Sequence, residues 1–100
     1  MEEELRGKQR RYLRGLGNEL KAMVYMGREG ISEGLLQSLE EVYTHHELIK
    51  VKVERNCPLD RREAGQRLAE ASNSHLVQVL GYTVLLYRPD PEEPQIQLPA

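Results

Sequence analysis

The hydrophobic pattern of this chain switches repeatedly between a helical and a strand period, which restricts its fold more than any other feature of the sequence. Three segments repeat their apolar residues at helical spacing, and four shorter ones alternate in polarity or are rich in β-branched residues. The predicted order of elements is α-β-α-β-α-β-β. The predicted helices cover residues 7–20, 33–46 and 61–73, and the predicted strands cover residues 21–26, 48–54, 75–80 and 82–87.

Local signals support the ends of these elements. Ser32 is placed to cap the second helix and Asp60 the third, with Glu63 as the partner in a capping box. The last two strands meet at Gly81, and only an antiparallel hairpin can bridge so short a separation. Right-handed crossovers make the other pairs parallel. The sequence therefore predicts an α/β fold with a mixed four-stranded sheet packed with helices.

A length of 100 residues is typical of one domain. We expect a single domain over residues 1–88, followed by a tail over residues 89–100. The tail contains four prolines and three acids, which disfavour regular structure and predict an extended or mobile end.

The composition disfavours several classes of protein. The longest run without a polar side chain, residues 22–26, is far shorter than the roughly 20 residues of a membrane span. The acidic N-terminus differs from a secretory signal, which predicts a cytoplasmic protein. The single cysteine, Cys57, has no intrachain disulfide partner. Because the sequence shows no nucleophile with a base and no nucleotide-binding loop, we expect a non-enzyme without cofactor, metal or small-molecule substrate. We also expect a monomer.

Positive charge is concentrated near the N-terminus, although the whole chain has a net charge of −2. Residues 5–28 contain seven Lys and Arg residues and one acid, Glu19. On the first helix, a basic arc lies opposite the apolar residues and consists of Lys8, Arg10, Arg11 and Arg14. Solvated helix faces usually mix both signs of charge, so this asymmetry predicts a surface that faces a polyanion.

A glycine-bracketed loop, Gly27-Arg28-Glu29-Gly30, follows the first predicted strand and precedes the second helix. Glycines at such a turn let the backbone approach a phosphate closely, and KH domains clamp single-stranded RNA with a loop of this kind. The same glycines are also explained by the turn alone. Both interpretations remain open at this point.

The outer face of the second predicted strand carries Lys50 and Lys52. These lysines are either contacts for a polyanion or a guard against aggregation on an edge strand. Among the five tyrosines, Tyr25 has the opposite strand parity to its apolar neighbours and is a candidate for an exposed stacking ring. We expect the other tyrosines in the core. Without Phe or Trp, recognition of the RNA backbone is favoured over an aromatic platform.

Several stretches, taken in order, resemble the stand-alone bacterial CRM-domain proteins of the YhbY family. They are KQRRYLRGL at residues 8–16, GREG at 27–30, HELIKVKV at 46–53, VQVLG at 77–81 and LYRP at 86–89. The resemblance implies a fold related to the C-terminal domain of translation initiation factor 3, RNA binding without catalysis, and association with pre-50S precursors of the large ribosomal subunit. One departure is Glu29, since the family usually has a small or amide residue there. An acid at this position would repel a phosphate and weaken the loop as a contact.

The residues that we predict to contact RNA combine the basic helix, the glycine loop and the outer face of the second strand. They are Lys8, Arg10, Arg11, Arg14, Lys21, Gly27, Arg28, Glu29, Gly30, Lys50 and Lys52. The alternative hypothesis is a protein–protein adaptor that uses a sheet edge or the C-terminal tail, with the cations serving only solubility.

Overall fold

A computed structural model describes residues 4–100, and its elements follow the predicted order. The elements are α1 (Gly7–Gly17), β1 (Val24–Met26), α2 (Glu33–Tyr43), β2 (Leu48–Val53), α3 (Arg61–Ala71), β3 (His75–Leu80) and β4 (Thr83–Tyr87). Each helix ends two or three residues before its predicted end. For α1 the reason is visible at Asn18, whose backbone N–H is shared between the carbonyls of Arg14 and Gly15 in a closing turn.

Side-chain caps fix the starts of α2 and α3. The Ser32 hydroxyl accepts a hydrogen bond from the backbone N–H of Leu35 at 3.1 Å, as the sequence predicted. Asp60 caps α3 by accepting from the backbone N–H of Arg62 at 3.2 Å. Instead of completing the predicted capping box, Glu63 forms a salt bridge with Arg67 at 2.8 Å.

The four strands form one mixed sheet in the order β1-β2-β4-β3. β1 pairs with β2 in parallel, whereas β4 pairs with β2 and β3 in antiparallel fashion. The predicted mixed sheet is confirmed. The prediction that every pair except the hairpin is parallel is wrong, because β4 lies between β2 and β3 and pairs with β2 in antiparallel fashion. Because β2 lies inside the sheet, Lys50 and Lys52 do not guard an edge strand, and that interpretation is wrong.

The two faces of the sheet have separate cores. α2 and α3 cover one face, where Ile49, Val51 and Leu86 are fully buried. α1 lies on the other face against β2, β3 and β4, with Leu13 fully buried beside Leu85. This arrangement places the basic helix on the sheet face that also carries the lysines of β2.

The C-terminal tail contains no helix or strand, but it folds back onto the domain. The carboxylate of Glu47, which is 7% exposed, accepts backbone hydrogen bonds from Asp90, Gln95 and Ile96 at 2.6–2.9 Å. Ile96 and Leu98 pack against the core beneath α1. The tail therefore lacks regular structure, as its composition predicted, but it docks on the domain because Glu47 supplies a buried acceptor.

Among residues 4–100, no helix has the length and apolar character that crossing a membrane requires.

Candidate nucleic-acid interface

The basic arc of α1 separates into two groups of cations. Lys8 and Arg11 are exposed and Arg14 is half-buried, and none of the three forms a salt bridge with an acid among residues 4–100. Charges in this state carry no compensating partner, so they are available to an incoming anion.

Arg10 has a different environment from the rest of the arc. Its guanidinium Nη1 donates to the backbone carbonyls of Leu76 and Val77, next to a register shift in β3. This contact fastens α1 to the sheet. The helical spacing assigned Arg10 to the basic arc, but it could not reveal acceptors more than sixty residues away in the chain.

The predicted glycine loop forms the turn between β1 and α2. The Gly30 N–H donates to the Gly27 carbonyl at 3.0 Å, and Gly30 adopts a φ of +62°, which favours glycine. A Cβ on Gly27 would lie 3.0 Å from the Glu54 carboxylate, so the loop packs closely against the connection after β2. The turn thus accounts for Gly30, while contact with a phosphate stays a prediction.

The side chains at the tip of this loop, Arg28 and Glu29, are both exposed. Their opposite charges lie next to each other, and Glu54 adds a second carboxylate beside Gly27. The loop therefore presents less net positive charge than the α1 arc.

The remaining predicted contacts lie on the α1 side of the sheet or beside it. Lys52 is exposed, Lys50 is half-buried, and Lys21 is exposed in the connection between α1 and β1. Lys50 pairs in register with Leu85, which lies under α1, so both β2 lysines point to the face that α1 partly covers. The structure brings the basic helix and these lysines to one side of the molecule.

The exposure of the tyrosine side chains differs in part from the prediction. Tyr25 is 57% exposed, as its strand parity indicated. Tyr12 and Tyr82 were expected in the core but are 43% and 49% exposed, so that expectation is wrong. Tyr82 directly follows Gly81 at the hairpin turn, and this position was the signal that sequence reasoning missed. Tyr43 and Tyr87 are buried as expected.

The strongest pKa shift occurs at the other end of the sheet, where β2 begins and β4 ends. Burial raises the pKa of Tyr43 to about 12, although its hydrogen bond to Ser74 and the nearby Arg88 guanidinium act in the opposite direction. Arg88 also forms a bidentate pair with Glu40 at 2.8 Å, and this hydrogen bonding lowers the Glu40 pKa. These groups join α2 to the sheet.

Residues 4–100 contain no group of three or more His, Cys, Asp or Glu side chains arranged to hold a metal ion.

The CRS1 / YhbY (CRM) domain matches residues 5–88 of the chain. The chain belongs to this CRM-domain family. The resemblance inferred from the ordered motifs is thereby confirmed, and all the predicted contact residues lie within the matched region. The tail beyond residue 88 lies outside it.

Relatives of similar length support this assignment to the CRM family. The "Probable RNA-binding protein YqeI" of Bacillus subtilis is 37% identical over 95% of this chain and 99% of its own length. A Haemophilus influenzae protein named "RNA-binding protein" is 38% identical over 92% of each chain. The solution structure of SAV1595 from Staphylococcus aureus has 39% sequence identity and a TM-score of 0.80, covering 95% of this chain and 99% of that one. This CRM domain therefore shares its fold with a solved structure.

Proposed function

We propose that this CRM-domain protein binds RNA mainly through phosphate contacts from α1, with the glycine loop as a secondary contact. The observation that carries the proposal is that Lys8, Arg11 and the half-buried Arg14 form no salt bridge among residues 4–100 and lie on a helix arc without acids. The names of the relatives as RNA-binding proteins support the choice of polyanion. We further propose ribosomal RNA in pre-50S particles as the target, which rests on the family resemblance.

The arrangement supports a division of labour between the two elements. Lysine and arginine side chains on a helix neutralise phosphates and fix the orientation of the RNA, and the release of counterions favours binding. The loop can bring backbone close to one phosphate, but Glu29 and Glu54 oppose the charge of Arg28. We therefore expect changes on α1 to weaken RNA binding more than changes in the loop.

A triple variant with Lys8, Arg11 and Arg14 changed to Ala tests this proposal. We expect the affinity for RNA to fall by about 10- to 100-fold at moderate salt, since three phosphate contacts would be lost. Fluorescence anisotropy with a labelled ribosomal RNA fragment measures the change. Unchanged affinity would contradict the proposal.

A control variant must lower the net charge by the same three units elsewhere. The substitutions Gln37→Glu, Gln66→Glu and Arg67→Ala do so at exposed positions of α2 and α3, on the opposite side of the sheet. We expect this control to bind RNA almost as well as the wild type. An equal loss in both variants would show that overall charge, rather than the α1 arc, determines affinity.

The ribosomal target has a separate test. Tagged protein should co-sediment with large-subunit precursors in a sucrose gradient, and the α1 triple variant should shift toward the top. Wild-type protein found only at the top would overturn the choice of ribosomal RNA while leaving RNA binding intact.

The structure gives little support to the alternative hypothesis of a protein–protein adaptor. The tail is docked through Glu47, and Arg10 bonds to carbonyls of the edge strand β3. An adaptor would retain its protein partner in the α1 triple variant, and pull-down from a lysate distinguishes the two outcomes.

A further inference from the structure

An open cleft of about 590 Å³ lies between the C-terminal half of α1, the connection from α2 to β2, and the C-terminal tail. Three apolar residues line it: Leu16 of α1, Leu20 just after that helix, and Ile96 of the tail. We call it the tail cleft, because one of its walls exists only while the tail is docked through Glu47. That wall lies outside the matched residues 5–88, so the CRM domain alone does not account for the cleft.

Exposed apolar surface continues from the tail cleft along α1. Leu16 is 38% exposed, and Tyr12, one turn earlier on the same helix flank, is 43% exposed. Neither side chain belongs to the two cores of the domain. Large apolar side chains that lie exposed next to each other beside a cleft are typical of a surface that binds a partner.

The charged residues of the tail cleft are all acids. The carboxylates of Glu47, Asp90, Glu92 and Glu93 line it, and no lysine or arginine among residues 4–100 does. Glu47 is occupied by the tail, and Asp90 accepts the backbone N–H groups of Glu93 and Glu92 at 2.9 Å, which lowers the pKa of Asp90. The side chains of Glu92 and Glu93 are exposed and form no salt bridge with the described residues. The cleft therefore combines apolar side chains with negative charge that has no partner.

The tail cleft is separate from the cations that we propose for RNA. At 100° per residue, Arg11 and Arg14 lie about 140–160° around α1 from Leu16. Lys8 lies on a nearer flank but about 12 Å from Leu16 along the helix axis. RNA on the basic arc thus leaves the cleft open, and the acids of the cleft repel phosphates.

We propose that the tail cleft binds a basic segment of a protein partner, with a large apolar side chain in the cleft and lysine or arginine side chains against Glu92 and Glu93. A nucleic acid or an acidic peptide would meet like charge there. A purely apolar partner would bury carboxylates without compensation. A segment that combines apolar and positively charged side chains satisfies both features of the cleft.

This protein contact goes beyond RNA binding and does not depend on it. It also differs from the adaptor hypothesis, in which the cations of α1 serve only solubility and the tail itself contacts the partner. Here α1 keeps its RNA contacts, and the tail stays docked as a wall of the cleft. The protein would then hold RNA and a basic protein segment at the same time.

Short synthetic peptides of lysine and leucine, in which the spacing between the leucines varies, are the probes. Matched peptides carry glutamate in place of lysine or serine in place of leucine. In an NMR titration, we expect lysine–leucine peptides to shift the amide signals of Leu16, His46 and Ile96 but not that of Leu80. Both kinds of matched peptide should bind about tenfold more weakly, because each lacks one of the two contacts.

The apolar contact is tested by Leu16→Gln. We expect this variant to lower the affinity for the bound peptide by about 3- to 30-fold, since one leucine contact is lost. Leu80→Gln makes the same change at a 61% exposed leucine at the opposite end of the sheet and should have no effect. Both side chains are exposed, so circular dichroism should show native folding in both variants.

The charge contact is tested by the double variant Glu92→Gln with Glu93→Gln. We expect a loss of about 2- to 20-fold in peptide affinity at low salt, the range for two exposed ion pairs. The control is Glu33→Gln with Glu70→Gln, which removes the same charge at exposed positions of α2 and α3. This control should bind the peptide almost as well as the wild type. Equal losses in the two double variants would overturn the charge contact.

RNA and peptide binding should respond to different substitutions. The α1 triple variant should bind the peptide at least as tightly as the wild type, because it has lost positive charge, whereas Leu16→Gln should keep its affinity for RNA. Three results would overturn the proposal: no binding of any lysine–leucine peptide, shifts of the cleft amides by oligouridine, or a dimer in sedimentation that Leu16→Gln dissociates. Each of them would leave RNA binding by α1 standing.

Discussion

Arginines that share one helix arc in α1 have different contacts. Arg10 donates to two carbonyls of β3, while Arg11 extends into solvent. The arc itself was predictable from the 100° spacing of helical residues. The role of Arg10 was not, because its acceptors depend on how β3 departs from regular pairing in three dimensions.

The substitutions Arg10→Ala and Arg11→Ala should therefore affect different properties, the first mainly stability and the second mainly RNA binding. We expect Arg10→Ala to lower the free energy of unfolding by about 1–3 kcal/mol, because it removes charge-assisted hydrogen bonds. Arg11→Ala should change stability by less than about 0.5 kcal/mol but weaken RNA binding more than Arg10→Ala does. Urea unfolding and RNA titration of both variants measure the two effects. A larger loss of stability in Arg11→Ala would refute this assignment.

Titration of Tyr43 should affect stability at alkaline pH. Burial raises its pKa from the ordinary 10.0 to about 12 in the folded protein. Deprotonation is thus easier in the unfolded chain, so the stabilising contribution is complete below pH 10 and is lost as the pH rises toward 12. Urea unfolding midpoints across this range should fall with pH.

A Tyr43→Phe variant should show a shallower decline of these midpoints above pH 10. Some dependence should persist, because burial also raises the pKa of Tyr87. An identical pH profile in wild type and Tyr43→Phe would show that Tyr43 does not control this effect.

At the scale of the elements, the sequence predicted the order of helices and strands and the hairpin at Gly81. These features follow from local periodicity and turn chemistry. It wrongly predicted a second parallel pair, because the hairpin strand that lies beside β2 is determined by contacts between distant parts of the chain. As a result, the internal position of Lys50 and Lys52 emerged only from the structure.

The close packing of α1 against the sheet depends on Gly17. A Cβ at this position would lie 2.6 Å from one methyl carbon of Leu85 and 3.0 Å from the other. We expect Gly17→Ala to lower the unfolding free energy by about 1–3 kcal/mol, because the packed core must shift to accept the added methyl. Thermal or urea unfolding measures the loss.

Gly15 provides the matched control on the same helix. A Cβ there meets no atom within 4 Å, so Gly15→Ala should stabilise the protein by about 0.5–1 kcal/mol through helix propensity. If both substitutions changed stability equally, the proposed contact between α1 and β4 would be incorrect.

At the scale of the whole molecule, the C-terminal tail packs against the domain through Glu47, Ile96 and Leu98. Proline and acid content correctly predicted a segment without helix or strand. The composition gave no sign of docking, because the acceptor is a single residue, Glu47, more than forty positions earlier. The candidate interface was predictable in its α1 and loop parts, whereas the exposure of Tyr12 and Tyr82 follows from tertiary packing.

Loss of the Glu47 carboxylate should release the tail. We expect Glu47→Ala to reduce the unfolding free energy by about 1–3 kcal/mol, since three backbone N–H groups lose their acceptor. Hydrogen exchange at the amides of Asp90, Gln95 and Ile96 should accelerate. Glu93→Ala, an exposed change within the tail, serves as the control and should leave that protection intact. Equally fast exchange at these amides in the wild type would show that the tail is not docked.

The salt dependence of RNA binding tests the central claim most directly. Four cations, Lys8, Arg11, Arg14 and Arg28, correspond to a slope of log affinity against log salt on the order of −3, or steeper if further cations take part. The α1 triple variant should have a slope shallower by about 2, because three phosphate contacts are missing. A wild-type affinity that stays constant from low to moderate salt, or an unchanged slope in the variant, would contradict phosphate recognition by α1.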